Sequence, residues 1–81
     1  MTSATCHVVV PFDRDEEGAL KAGEPKEAPS AEMAWRRAAS LACAHAGVVA
    51  FSRAGDPVTG DFEGAVILSQ AGDVDLDVLS V

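Results

Sequence analysis

Residues 29–47, PSAEMAWRRAASLACAHAG, constrain the fold most, because they predict a helix whose apolar face is mostly alanine. Ser30 is suited to be the N-cap, Glu32 lies in the first turn, and Gly47 is suited to be the C-terminal cap. At about 100° per residue, the polar strip holds Arg36, Arg37 and Ser40, and the opposite face holds Ala31, Ala34, Trp35, Ala38, Leu41, Ala42 and Ala46. Small side chains let such a helix lie close to its partner surface, with bulk supplied by Trp35 and Leu41.

Two strands are predicted before this helix. Residues 6–13, CHVVVPFD, are dense in β-branched side chains, and Pro11 places that part of the strand at an edge or a bulge. Residues 13–18 form a turn that closes with Gly18. Residues 19–28 predict a weaker strand that Gly23 and Pro25 make irregular.

Two more strands are predicted after the helix, at residues 48–53 and 65–70, with a loop rich in turn formers between them. Gly72 then breaks the chain. The order strand, strand, helix, strand, strand predicts one α+β domain over residues 1–81. We expect a ββαββ two-layer sandwich, in which one helix covers a mainly antiparallel four-stranded sheet. Residues 73–81, DVDLDVLSV, alternate acids and aliphatics and predict either an extra strand or a tail.

Charge limits the classes of partner. The 81 residues include 13 acids and 6 bases, for a net charge of −7. Direct binding to nucleic acid or to an anionic membrane is therefore not expected. No apolar run reaches the roughly 18 residues of a membrane span, and the N-terminal residues do not resemble a signal peptide, so we expect a cytoplasmic protein.

Residues 13–24, DRDEEGALKAGE, approach the pattern of a calcium-binding loop. The oxygen ligands would be Asp13, Asp15, Glu17 and Glu24. Such loops lie between two helices, whereas a predicted strand precedes this one and Pro25 follows it. We therefore favour an acidic turn and keep calcium binding as an alternative.

Two cysteines and two histidines are enough in number for a zinc site, but their spacing is poor. Cys6 and His7 are adjacent on a strand and point to opposite faces, and Cys43 and His45 are about 200° apart on the predicted helix. A Cys6–Cys43 disulfide is likewise not expected. His45 has no identifiable nucleophile beside it, so the sequence predicts no metal, no cofactor and no enzyme.

The predicted interaction surface comprises an uncovered sheet face or edge, the polar side of the helix with an exposed Met33, and the C-terminal segment. The face is predicted because one helix cannot cover both sides of a sheet. The residues concerned are Val8, Val10, Phe12, Met33, Arg36, Arg37, Phe51, Phe62, Val74, Leu76 and Val78.

Five stretches together resemble a family of small alphaproteobacterial proteins of unknown function. They are VVPFDRDEEG with the AGE that follows, RRAASLACAHAG, VAFSRAGDP and AVILSQAGDV, and the likeness covers roughly residues 8–74. The resemblance implies a bacterial cytoplasmic setting and implies nothing about chemistry.

The sequence thus predicts a non-catalytic, acidic protein-interaction module that forms a homodimer or serves as an accessory subunit of a larger assembly. Two alternatives stay open beside it: a calcium-binding protein, and an acidic charge mimic that blocks a nucleic-acid-binding protein.

Overall fold

The computed structural model of the protein describes residues 4–56, 58–59, 61–62 and 64–76. In chain order its elements are β1 (Ala4–Arg14), β2 (Leu20–Ala22), β3 (Lys26–Ala28), α1 (Ala31–Leu41), β4 (Gly47–Asp56), β5 (Asp61–Phe62) and β6 (Val66–Gly72). All strands belong to one sheet, and α1 packs against β1, β4 and β6 with a smaller contact to β3.

The sheet has two long central strands with short strands on either side. β1 and β4 pair along most of their length, with Val9 opposite Ala50. β2 and β3 share the outer edge of β1, and β5 and β6 share the outer edge of β4. Every one of these pairings is antiparallel. The expected α+β fold, one helix on a mainly antiparallel sheet, is confirmed. The part of the chain that the structure describes has six strands where four were expected, because each outer position is divided in two.

The division between β2 and β3 explains how a proline fits into a central strand. Pro11 pairs with Val48 on one side of β1, so the predicted edge or bulge is found only on the other side. On the other side β2 ends opposite Phe12 and β3 begins opposite Val9. Pro11 therefore faces the gap, where its missing N–H costs no ladder bond, and its carbonyl accepts a 2.7 Å hydrogen bond from the Gly23 amide.

The helix begins as predicted and ends early. Ser30 is the N-cap, and its Oγ accepts a hydrogen bond of 3.2 Å from the amide of Met33. The last helical residue is Leu41, so the predicted cap at Gly47 is wrong. Gly47 opens β4 instead, where an added Cβ would overlap the backbone carbonyl of Asp73. Within the described residues, no helix is long and apolar enough to cross a membrane.

A first core cluster fills the layer between helix and sheet. Its buried members are Val9, Ala28, Ala34, Ala38, Val48 and Ala50. Because the helix contributes only alanines to this buried set, the two layers lie close together. The predicted apolar face is wrong at Trp35, which is 54% exposed, because the close approach leaves no depth for an indole at the flank of the helix.

A second core cluster lies on the other face of the sheet. Val10 and Phe12 of β1 meet Val49 and Phe51 of β4 there, all four buried. Partly buried side chains from outside the central strands pack over them: Leu20, Ala65 and Val74. The expectation that this face is uncovered is therefore wrong. Its centre is covered by one residue after the first turn, one residue before β6 and one residue after β6.

Candidate functional site

Two residues 32 positions apart meet at one end of the sheet. The Nδ1 of His45 lies 2.7 Å from Oδ2 of Asp13, and the amide of Ala46 donates a 3.3 Å hydrogen bond to the other carboxylate oxygen. Since an ionised carboxylate only accepts, the ring nitrogen is the donor. Asp13 belongs to β1 and His45 to the turn between α1 and β4. The pair therefore fastens that turn to the central strand.

The same contacts set the charge of Asp13. The hydrogen bond from His45 is the main reason that the pKa of the Asp13 carboxyl lies below its usual value, and the Ala46 amide contributes in the same direction. The His45 side chain is 26% exposed. Catalysis by this imidazole would need a nucleophile in reach, and among the described side chains its hydrogen bond goes to Asp13. The arrangement holds a turn in place.

The four candidate calcium ligands are not gathered around one point. Asp13 accepts hydrogen bonds from His45 and from the amide of Ala46. One oxygen of Asp15 accepts hydrogen bonds from the amides of Glu17 and Ala19. Gly18 has a φ of 83°, and Arg14 donates to its carbonyl. Among the described residues, no group of three or more acids, histidines or cysteines could hold a metal ion. The segment comprises the end of β1, the turn of the β1–β2 hairpin and all of β2, and Glu17 and Glu24 are exposed.

The cysteines and histidines also lie apart. Cys6 is opposite Arg53 and His7 is opposite Ser52, so the two side chains of this pair project to different faces of the sheet. His7 Nδ1 is 2.7 Å from Ser52 Oγ. Cys43 is exposed in the turn after α1, and both thiols are free. The predicted separation of Cys43 and His45 by about 200° on one helix is wrong, because α1 ends at Leu41 and both residues lie in the turn that follows.

The predicted contact residues of the helix differ in burial and in their hydrogen-bond partners. Met33, expected to be exposed, is partly buried against the first cluster, which corrects that expectation. Arg36 is exposed and bonds to Glu32 at 2.8 Å, one turn away. Arg37 reaches sideways and donates a hydrogen bond of 2.8 Å to the carbonyl of Glu27 in β3. The flank of the helix that carries Arg37 therefore lies over the β3 edge.

Trp35 lies on the opposite flank of the helix. It is about 160° around the axis from Arg37, at roughly 100° per residue. β3 and β6 lie at opposite edges of the sheet, and α1 contacts both strands. The flank that carries Trp35 therefore faces the β6 edge. Trp35 is the fifth of the eleven residues of α1, and β6 begins opposite Ser52, at the end of the sheet where α1 begins. The large exposed side chain of the helix is thus above the β6 edge.

The start of β6 adds two exposed aliphatic side chains. Val66, opposite Ser52, is 62% exposed, and Ile67, opposite Phe51, is 41% exposed. Opposed residues share a face, so Val66 lies on the helix side and Ile67 on the second face. Among the described residues, β6 pairs only with β4. Trp35, Val66, Ile67 and the outer backbone of β6 are hereafter called the β6 edge surface.

The remaining predicted interface residues differ in how far they are exposed. Val10, Phe12 and Phe51 are buried in the second cluster, and Val8 and Val74 are partly buried beside it. Leu76 is exposed. Phe62 of β5 pairs through its backbone with Gly55 of β4, and Val78 lies outside the described residues. The C-terminal segment thus adds no strand over residues 73–76, and Val74 packs on this chain's own sheet.

Sequence reasoning missed Trp35, Val66 and Ile67 as surface residues. A signal for two of them was present: neighbouring residues of a strand point to opposite faces, so two large aliphatics at the start of an edge strand are hard to bury together. Nothing in the sequence pointed to the pairing of Asp13 with His45, because it depends on the register between β1 and β4.

Compared with models of protein families, with curated proteins and with solved structures, the chain gives no match in any of the three. The resemblance to a small bacterial family stays a prediction from its motifs.

Proposed function

We propose that this protein is a non-catalytic interaction module that binds another protein chain through the β6 edge surface. The observation that carries the proposal is the position of Trp35, the one tryptophan of the sequence. The core is built from alanine, valine and phenylalanine, while the largest side chain stands half-exposed on the helix. Tryptophan and other large apolar side chains are enriched at the centres of protein interfaces.

Its surroundings support the same proposal. Val66 adds an exposed aliphatic side chain on the helix side of the same edge strand, and Ile67 adds one on the other face of that strand. An exposed apolar group next to unpaired strand backbone is a site at which another chain can add both side-chain and main-chain contacts. A homodimer and an accessory subunit of a larger assembly both satisfy this description.

Site-specific photo-crosslinking in the source cells tests the proposal. A photoreactive phenylalanine analogue replaces Trp35 in one variant and Ser40, an exposed residue elsewhere on the helix, in the matched control. We expect a protein adduct from position 35 and none from position 40. A native mass spectrum of the gently purified protein gives the mass of the partner. No adduct at position 35 together with a bare monomer mass would overturn the proposal.

A further inference from the structure

We infer that the partner at the β6 edge surface is a second copy of this chain, whose β6 pairs with the first so that the two sheets become continuous. This inference rests on the proposed function and adds the identity of the partner. An edge strand joined to its own copy by a twofold axis makes an antiparallel pair, in which both copies contribute the same residues.

The two edges of the sheet differ in charge. β6, from Val66 to Gly72, is VILSQAG and contains no charged residue. The opposite edge is divided into strands of three residues each, with Lys21 in β2, and with Lys26 and Glu27 in β3. Short strands, charges and a proline between strands are the features by which proteins protect an edge from pairing. The edge of β2 and β3 has all of these features. On the other edge the two-residue β5 carries Asp61 and the pairing of β6 is irregular opposite Ala50 and Phe51, but the seven residues of β6 contain no charge and no proline.

The net charge of the chain favours the same choice of surface. Two copies at −7 each repel one another, so a homodimer requires a contact where the repulsion is smallest. The uncharged β6 provides such a contact, with the aliphatic Val66 and Ile67 exposed at its start. A basic partner, by contrast, would be expected at a surface rich in carboxylates.

The size of the contact sets the expected affinity. A strand of seven residues is about 23 Å long. With the helix flank above it, such a strip offers roughly 600 Å² per partner, which is at the lower limit of specific interfaces. The dimer should therefore be reversible, with a dissociation constant in the micromolar range. Since screening weakens the repulsion between like-charged copies, added salt should strengthen it.

Sedimentation velocity on the full chain, from low to high micromolar concentration at low and high salt, tests this inference. Val66→Lys places a cation on an exposed apolar residue at the start of β6, inside the proposed contact, and Ser40→Lys makes the same charge change on an exposed helix position about 140° around the axis from Trp35. We expect Val66→Lys to weaken the dimer by about tenfold or more, while Ser40→Lys dimerises like the wild type. Melting curves show whether each variant is folded.

Hydrogen exchange supplies a readout that does not depend on a variant. In the dimer, alternate amides of β6 should become more protected as the concentration rises, because those amides bond to the second copy. A wild type that stays monomeric throughout, a Val66→Lys variant that dimerises normally, or new protection at β2 and β3 instead would each overturn the inference. A monomer that still forms an adduct with a different protein at position 35 would leave the proposed function standing.

Discussion

The imidazole of His45 donates a hydrogen bond of 2.7 Å to the carboxylate of Asp13, and so joins the turn after the helix to the first strand of the sheet. The contact closes a loop of 32 positions between the two residues. Since Asp13 also accepts from the Ala46 amide, one carboxylate holds both a side chain and the backbone of that turn.

We expect Asp13→Asn to lower the melting temperature at neutral pH. The folded pKa of Asp13 is below its unfolded value of about 3.9, so its contribution is complete above that value and is lost as the pH falls through the folded pKa. The difference between wild type and variant should therefore shrink below about pH 4. Circular dichroism melts from pH 2 to pH 7 measure it, with Glu16→Gln as the exposed control. A difference that is independent of pH would contradict this account.

Ala38→Leu should destabilise the protein, because Ala38 is buried between helix and sheet. Forcing a larger side chain into a packed layer typically costs about 1–3 kcal/mol. Ala39→Leu is the matched control, since Ala39 is exposed on the next position of the same helix and should change the free energy of unfolding by less than about 0.5 kcal/mol. Urea unfolding followed by circular dichroism compares the two. Equal effects would mean that the layer is loosely packed.

Phe12→Ala should lower the free energy of unfolding by about 3–5 kcal/mol, because the ring is fully buried in the second cluster. Trp35→Ala removes a larger side chain from the surface and should cost less than about 1 kcal/mol. Where Phe12→Ala leaves too little folded protein, Phe12→Leu gives the same ranking with a smaller effect. A tryptophan variant as unstable as the phenylalanine variant would show that Trp35 belongs to the core.

Gly47→Ala should be strongly destabilising, because the added methyl group would overlap the backbone of Asp73. The Asp73 amide donates a 3.0 Å hydrogen bond to the Ala46 carbonyl, so neither segment can move without losing that bond. We expect a loss of more than about 2 kcal/mol, against less than about 0.5 kcal/mol for Gly64→Ala, whose added carbon meets no atom within 4 Å. Thermal melts of the two variants measure this difference in stability, and equal melting temperatures would contradict the predicted overlap at Gly47.

Calcium should leave the melting temperature unchanged. Asp13 and Asp15 bond within the protein, and the candidate loop connects two strands. A ligand that binds the folded state raises its stability, so scanning calorimetry with millimolar calcium, and with magnesium as the control, is a direct measurement. A rise that is specific to calcium and is lost in Asp13→Ala with Glu24→Ala would restore the calcium-binding alternative.

Much of the fold follows from local rules that the sequence displays. Ser30 begins the helix, Gly18 closes the first turn, and Gly23 with Pro25 divides an outer strand, each for a reason that involves a few neighbouring residues. The errors arise where distant segments meet. The helix ends at Leu41 and not beside Gly47, because that glycine is needed where β4 meets Asp73.

The candidate surface was only partly predictable for the same reason. An apolar residue at the flank of a helix is buried or exposed according to how close the sheet lies, which the helical period does not reveal. Trp35 was assigned to the buried face on that period alone, and Phe12 to the surface because the segments that cover it are remote in the chain. The difference in charge between β6 and the pair β2 and β3, by contrast, can be read directly from the sequence.

The alanine-filled layer between α1 and the sheet has a consequence for how this protein can vary. Ala34 and Ala38 can hardly be made smaller, and the space around them is already used by Val9 and Val48. Any gain in volume on the helix must therefore be matched by a loss on the strand opposite, so tolerated changes there come as compensating pairs. The second face differs in that its cover consists of single side chains from three separate segments, Leu20, Ala65 and Val74.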